Sequence, residues 1–248
     1  MAAFTFEIED RGLEHIGAAR IDGPLVVVER VRDVGYDEVV EILDSAGRPR
    51  LGRVLDISEQ QAVIQVLEGT TGLSNQTLHT RFLGESFRLP VSRQMLGRVF
   101  DGLGRPADGG SAALAADRRD VNGLPINPYA RRYPREFIQT GLSAIDGMNA
   151  LVRGQKLPIF SGNGLPHDRV SAQIVRQARL LEEKVDFSIV FAAMGVKHDV
   201  ADFFIRNFRD SGALARAVMF FSLADAPSVE RLLTPRDALT LAEHLAFD

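Results

Sequence analysis

The sequence contains no cysteine. A disulfide scaffold, a cysteine-ligated zinc or iron–sulfur site and a thiol nucleophile are all excluded on that ground. Lysine is nearly absent as well: among 29 basic residues only Lys156, Lys184 and Lys197 are lysines, and the rest are arginines. Chemistry that needs an ammonium group therefore has three candidates. No apolar run approaches the ~18 residues of a membrane helix. The acidic start, with Glu7, Glu9 and Asp10, has neither the basic nor the apolar region of a signal peptide. The expected location is the cytoplasm, with no direct membrane insertion. A strong basic field is missing too, since 29 basic residues face 33 acidic ones for a net charge of −4. That balance argues against a nucleic-acid partner.

What remains is the composition of a globular protein. With 248 residues, 45% hydrophobic and 25% charged, the chain can bury a sizeable core in one or two domains. Charge is divided unevenly: residues 1–80 carry 7 basic and 14 acidic residues, and residues 81–248 carry 22 and 19.

Residues 13–68 read as short strands, at 25–28, 39–43, 51–57 and 62–67, separated by turn signals such as Asp22-Gly23-Pro24. Close-spaced short strands predict a small antiparallel barrel or sandwich, here a first domain over 1–80. Residues 84–158 are dense in glycine and proline and read as a long connection, anchored by Met95, Phe100, Phe137 and Ile138. From residue 156 strands and helices alternate. A strand at 156–160 precedes a Gly-rich turn and a helix to about Lys184, with Val170, Ile174 and Leu181 on one face and Arg169, Arg176 and Glu183 away from it. A strand at 187–194, a helix at 198–210 with Val200, Phe203, Phe204 and Phe208 inward, and a strand at 217–223 follow. Thr234 and Pro235 read as the N-cap and first turn of a last helix through Leu239, Ala242 and Leu245. This alternation predicts a parallel sheet covered by helices over 81–248. Three strand–helix units make a narrow sheet, and the pattern stops just after a helix, so the expectation is a domain interrupted at its C-terminal side.

Ser161, Gly162, Asn163, Gly164, Leu165, Pro166, His167 and Asp168 sit where a phosphate-binding loop belongs, between a strand and a helix. In the pattern G-x-x-x-x-G-K-[ST], backbone N–H groups cradle phosphates, the lysine neutralises charge and the hydroxyl binds Mg²⁺. Here Ser161 takes the first glycine position and Pro166 the second, His167 falls at the lysine, and Asp168 at the Ser/Thr. Proline donates no N–H. Histidine is mostly neutral at pH 7. A carboxylate facing a phosphate at ~4 Å costs on the order of 1–4 kcal/mol. Two readings stand side by side: a degenerate phosphate loop, and a plain strand–helix turn with Asp168 as N-cap.

No other cluster carries chemistry. His15, His79, His167, His198 and His244 lack metal-ligand spacing, and no metal site is expected. Gly102 and Gly104 lack the third glycine of a dinucleotide fingerprint. Asp225 follows a strand, as a Mg²⁺-binding aspartate would, but reads as a loop residue. Ser161 and Ser171 have no evident base. No catalytic residue is expected.

The strings LGRVFDGLGRP (96–106), NGLPINP (122–128), FIQTGLSAIDG (137–147) and LVRGQKLPIFSG (151–162) closely resemble the B subunit family of V-type and archaeal-type rotary ATPases. GLPH (164–167), VFAAMG (190–195) and ERLLTPR (230–236) do so as well, in one register from about residue 10 to the end. The resemblance implies an N-terminal β-barrel followed by a RecA-like, P-loop-type domain. It implies a non-catalytic subunit that alternates with catalytic A subunits in a hexameric ring of a proton-translocating ATPase. Its partners would be those A subunits together with the central rotor stalk and peripheral stalk subunits, on the cytoplasmic face of the membrane. ATP or ADP with Mg would sit at the interface with the catalytic subunit. Family members commonly carry asparagine where this chain has Asp168, and they are substantially longer. The arginine that reaches the neighbouring site lies, in them, beyond the position of Asp248. Two alternatives stay open: a free-standing P-loop-like nucleotide-binding protein, for which Lys197 would have to supply the charge, and a truncated assembly factor of the same ring.

Overall fold

The computed structural model describes residues 13–58, 60–112, 117–125, 127–133, 135–180 and 187–247. They fall into two compact units. The first runs to Leu89 and takes in Asp120–Asn122 and Ala226–Leu233; the second comprises Pro90–Arg119, Gly123–Asp225 and the chain from Thr234.

In the first unit, Leu13–Ile16 (β1), Arg20–Asp22 (β2), Leu25–Glu29 (β3), Glu38–Leu43 (β4), Pro49–Ser58 (β5), Gln61–Val66 (β6) and His79–Ser86 (β7) form one sheet. Its order is β1-β7-β4-β5-β6-β3-β2, with antiparallel pairing throughout. Alternation places Val26 and Val28, Val40 and Ile42, Ile64 and Val66 on one face of their strands. Together with Val54 and Phe82 they share a single core, so five strands curl around one set of side chains, as in a barrel. The four predicted strands are present, each shifted by no more than two residues at either end. β1, β2 and β7 were not foreseen. In β7 only Thr80, Phe82 and Leu83 are buried, too weak a pattern to stand out in sequence.

Carboxylates hold the turns of this unit. Asp44 accepts the N–H groups of Ala46 and Arg48, both at 2.9 Å, and the Arg48 guanidinium at 2.8 Å, which locks the β4–β5 hairpin. The Arg48 backbone N–H, more than any other contact, keeps this carboxyl below its ordinary pKa. Glu38 is buried and accepts the N–H groups of Gly35 and Gly84, each at 2.7 Å. Gly52 is where the sheet is tightest. A Cβ there would stand 2.9 Å from Cγ2 of Ile64 and 3.1 Å from the Gln65 carbonyl oxygen. Gly52→Ala is therefore expected to lower stability by about 1–2 kcal/mol through overpacking, read as a lower urea midpoint at unchanged slope.

Arg88–Val91 (β8), Val99–Asp101 (β9), Asp117–Asp120 (β10) and Phe137–Gln139 (β11) follow along the chain. Then come Ser143–Met148 (α1), Leu151–Val152 (β12), His167–Gln177 (α2), Arg179–Leu180 (β13), Ile189–Val196 (β14), His198–Asp210 (α3), Ala217–Leu223 (β15) and Glu230–Phe247 (α4). In the second unit β14, β15 and β9 make a parallel sheet in that order. Six of the seven residues of the central strand β15 are buried, as a strand covered on both faces requires. α3 links β14 to β15 and packs Phe204 and Phe208 onto them beside Phe191 and Phe221, while α2 adds Ala172. A smaller antiparallel sheet, β12-β11-β13, stands apart.

Three expectations differ from this picture. Residues 156–160 form no strand: Pro158 offers no N–H to a ladder, no described strand pairs with the segment, and Phe160 is 92% exposed. The third parallel strand is instead β9, inside the stretch read as connection. The helix after the Gly-rich turn ends at Gln177, because Ala178 turns extended and Arg179 and Leu180 pair with Gln139 and Ile138. Leu181, Glu183 and Lys184, placed on that helix from sequence, lie outside the described residues. Finally, α4 begins at Glu230, so Thr234 is not its cap and Pro235 lies inside the helix. The Thr234 hydroxyl donates to the Gly102 carbonyl at 3.2 Å.

Candidate functional site

The Gly-rich turn connects the exposed segment 156–160 to α2. Gly164 adopts φ = +82°, a left-handed conformation that glycine reaches without strain and that reverses the chain toward the helix. α2 then starts at His167 with Pro166 as the capping residue. Asp168 is thus not the N-cap but lies in the first turn, where its charge complements the helix dipole.

Two backbone donors of the turn point inward. The Leu165 N–H goes to the Gly162 carbonyl at 3.3 Å, and the His167 N–H to the Leu165 carbonyl at 2.9 Å. Pro166 has no N–H. Three consecutive positions that would cradle a phosphate therefore offer it nothing. The side chains are committed to one another as well. Ser161 Oγ lies 3.0 Å from Nδ1 of His167, whose Nε2 is 3.4 Å from a carboxylate oxygen of Asp168. Ser161 thus has a histidine beside it, contrary to the sequence reading. The pair is open to solvent, and the Leu165 and His167 amides beside it are spent on internal carbonyls. The Ser171 hydroxyl is likewise engaged, donating to the His167 carbonyl at 3.1 Å. These residues do not fit a triphosphate with Mg²⁺: the turn supplies no ammonium group, no free hydroxyl at the metal position, and a carboxylate where charge should be neutralised.

The C-terminal edge of a parallel sheet is where α/β folds place ligands. The register Val196↔Leu223 and Phe221↔Asp101 brings the ends of β14, β15 and β9 to that edge. Lys197 caps α3 from there and is exposed. His198 and Asp225, read separately in the sequence as a surface histidine and a loop residue, meet across it at 3.1 Å between Nε2 and a carboxylate oxygen. That hydrogen bond is the chief reason why the Asp225 carboxyl lies below its ordinary pKa. Asp101 is occupied: one oxygen accepts the N–H groups of Leu103 and Arg105, and the other takes the Arg105 guanidinium at 2.7 Å. Among the described residues no group of three or more His, Asp or Glu side chains is placed to hold a metal. None of the described helices is long and apolar enough to cross a membrane.

Two carboxylates near these elements gave no signal in the sequence reading. Asp146 of α1 accepts the Thr140 N–H and hydroxyl and the Gly141 N–H at 2.7–2.9 Å, and clamps the turn between β11 and α1. These bonds, led by the Thr140 hydroxyl, hold its pKa down. Thr140 and Asp146 stand six residues apart, which fits no helix-start signature, so no spacing announces this clamp. Asp237 of α4 is buried with both oxygens unpaired, an arrangement that no sequence spacing announces.

Residues 141–248 match the ATP synthase alpha/beta family nucleotide-binding domain, and residues 19–78 match the beta-barrel domain of the same family. The chain is 55% identical over 235 residues to the V-type ATP synthase beta chain of Halothermothrix orenii, covering 95% of this chain and 51% of that one. It is 55% identical over 238 residues to V-type ATP synthase beta chain 2 of Treponema pallidum, covering 96% and 50%. With the B subunit of the A-type ATP synthase of Methanopyrus kandleri it shares 54% identity over 237 residues, 96% of this chain and 24% of that one. The chain thus spans about half the length of the first two relatives, and less of the third.

Proposed function

The chain belongs to the ATP synthase alpha/beta family, and on that premise we propose that it serves as the N-terminal part of a non-catalytic B-type subunit of a V-type or archaeal-type rotary ATPase. The observation that carries the reading is the turn at 161–168. It stands where the sequence places a phosphate loop, yet the Leu165 and His167 amides close on internal carbonyls, Pro166 has none to offer, and Ser161 and His167 close on each other. A chain 54–55% identical to beta-chain and B-subunit relatives, but without a working phosphate loop, suits a partner in nucleotide chemistry rather than its agent. In this reading the chain alternates with catalytic A subunits in a ring, and ATP or ADP with Mg is held at their interface chiefly by the catalytic side. Ion transport belongs to other subunits of the complex, so the chain sits peripherally, in the sector outside the membrane. Central and peripheral stalk subunits complete its set of partners. Neither the lysine positions nor the relatives favour a free-standing nucleotide-hydrolysing protein.

Hydrolysis by the purified chain tests this directly. Phosphate release from Mg-ATP is expected to stay at background, and His167→Ala and Asp168→Ala are expected to leave it there. Turnover well above background that either substitution abolishes would overturn the reading.

A further inference from the structure

Residues 123–135 carry a surface feature that the nucleotide chemistry does not use. Leu124, Tyr129 and Tyr133 are 91%, 96% and 92% exposed. Arg131, Arg132 and Arg135 are exposed beside them, and the segment contains no acidic residue. Among the described residues, none of these three guanidinium groups meets a carboxylate; the adjacent Glu136 is taken by Arg153 at 2.7 Å. The backbone is nevertheless held. Asn127 accepts the Tyr129 N–H on its side chain at 3.0 Å and the Ala130 N–H on its carbonyl at 2.9 Å, and the Arg131 N–H reaches the Pro128 carbonyl at 3.2 Å. A preformed turn thus presents two tyrosines to solvent, flanked by three unpaired positive charges.

We propose that this segment is a docking strap that seats Tyr129 and Tyr133 on an acidic surface of the neighbouring ATP synthase subunit. The inference rests on the ring-subunit reading above and names the surface through which that subunit would be engaged. Tyrosine and arginine dominate the energetic centres of protein interfaces, tyrosine because it combines a large contact area with few rotors, arginine because its planar fork makes several directional hydrogen bonds. Each buried tyrosine removes ~150–250 Å² from water. The held turn reduces the ordering cost that a floppy segment would incur on binding. Charge selects the partner's sign: three guanidinium groups without acids favour carboxylates, bidentately where geometry allows. A nucleic acid is disfavoured, since a chain of net charge −4 with one short basic segment makes few phosphate contacts.

The test uses the full chain and the catalytic subunit of the same ATP synthase, with affinity measured by calorimetry at low and moderate salt. Tyr129→Ser/Tyr133→Ser is expected to weaken association ~30-fold with little change in salt dependence. Arg131→Ser/Arg132→Ser/Arg135→Ser is expected to weaken it comparably and to flatten the salt dependence. All five side chains are exposed, so the thermal melt should not move, which separates lost contact from lost fold. If the unaltered chain binds and both variants bind equally well, the strap is overturned while the ring reading stands. If the unaltered chain does not bind the catalytic subunit at all, the ring reading fails and the strap with it. Salt-sensitive binding to a single-stranded oligonucleotide that the arginine variant alone loses, with subunit binding intact, would reassign the segment and overturn the proposal.

Discussion

Phe208→Ala lowers the unfolding free energy of the second unit by about 3–5 kcal/mol, the usual cost of emptying a core site of a phenyl ring. Phe208 is fully buried on α3. Its ring meets Phe191 of β14 edge-on at 5.2 Å between centroids and Phe204 of its own helix at 6.1 Å. Phe191 also touches Phe204 at 4.7 Å and Phe221 of β15 at 5.9 Å, so one ring on the strand ties Phe204 and Phe208 of the helix to the sheet. Edge-to-face pairs of this kind add roughly 0.5–1.5 kcal/mol each beyond the area they bury. No small neighbour stands ready to fill the space, since the surrounding rings are themselves fixed by packing. A loss of this size removes a large share of the 5–15 kcal/mol typical of a domain. Urea unfolding followed by circular dichroism reads the change. Phe203→Ala, a half-buried ring on the same helix, serves as the comparison and is expected to cost less than half as much. Equal losses for the two would mean that α3 does not present Phe208 to the core.

The packing of α3 was legible because its pattern is internal to the helix. Val200, Phe203, Phe204 and Phe208 recur at helical spacing, and the helix found, His198–Asp210, has the bounds that spacing predicted. β15 was legible for a similar reason, as an unbroken apolar run that only a strand covered on both faces can use. Pairing is another matter. Leu157, Ile159 and Phe160 look like a strand, but a strand exists only with a neighbour, and periodicity does not say which segment that neighbour is. β9 shows the converse: three residues between glycines and prolines are too few to show a period, yet they complete the parallel sheet. At the candidate site the residue types already argued against phosphate, whereas the inward amides and the Ser161–His167 contact depend on dihedral angles that composition does not reveal. The barrel-type unit was read through its four strongest strands, and β7, with polar residues at five of its eight positions, escaped for lack of contrast. Asp237 is the clearest case of a residue that misleads. A single aspartate in a helix reads as solvated, but α4 buries Leu233, Thr234, Ala238, Thr240 and Leu241 around it.

Asp237→Leu raises stability by about 3 kcal/mol at pH 8, because a carboxyl buried without a partner is costly in either protonation state and most costly when charged. Its side chain is fully buried, and among the described residues neither oxygen has a hydrogen-bond partner. Burial is the main cause that pushes this carboxyl well above its ordinary pKa near 3.8, and the negative charge of Asp101 at the end of β9 adds to it. Arg105 gives its Nε to Asp101 at 2.7 Å. A carboxyl whose pKa is raised in the folded state carries no ionisation penalty below its unfolded pKa. As pH rises above about 4, the unfolded chain ionises first, and the folded protein loses stability relative to it by up to ~1.4 kcal/mol per pH unit. The loss stops growing once pH passes the folded pKa. Other carboxyls, among them Asp44, Asp108, Asp146 and Asp225, lie below their ordinary values and contribute the opposite dependence, stability that disappears as pH falls. Comparing the protein with Asp237→Asn cancels those shared terms. The difference in unfolding free energy between the two is expected to be small at pH 4 and to widen in favour of the asparagine variant as pH rises toward the folded pKa. Asp237→Leu should follow the same course from a higher starting point, since it also removes the unpaired polar atoms. Urea midpoints measured at half-unit steps from pH 4 to 8.5 read all three curves. Parallel curves for the protein and its asparagine variant would show that Asp237 is solvated or paired, and that α4 does not bury it.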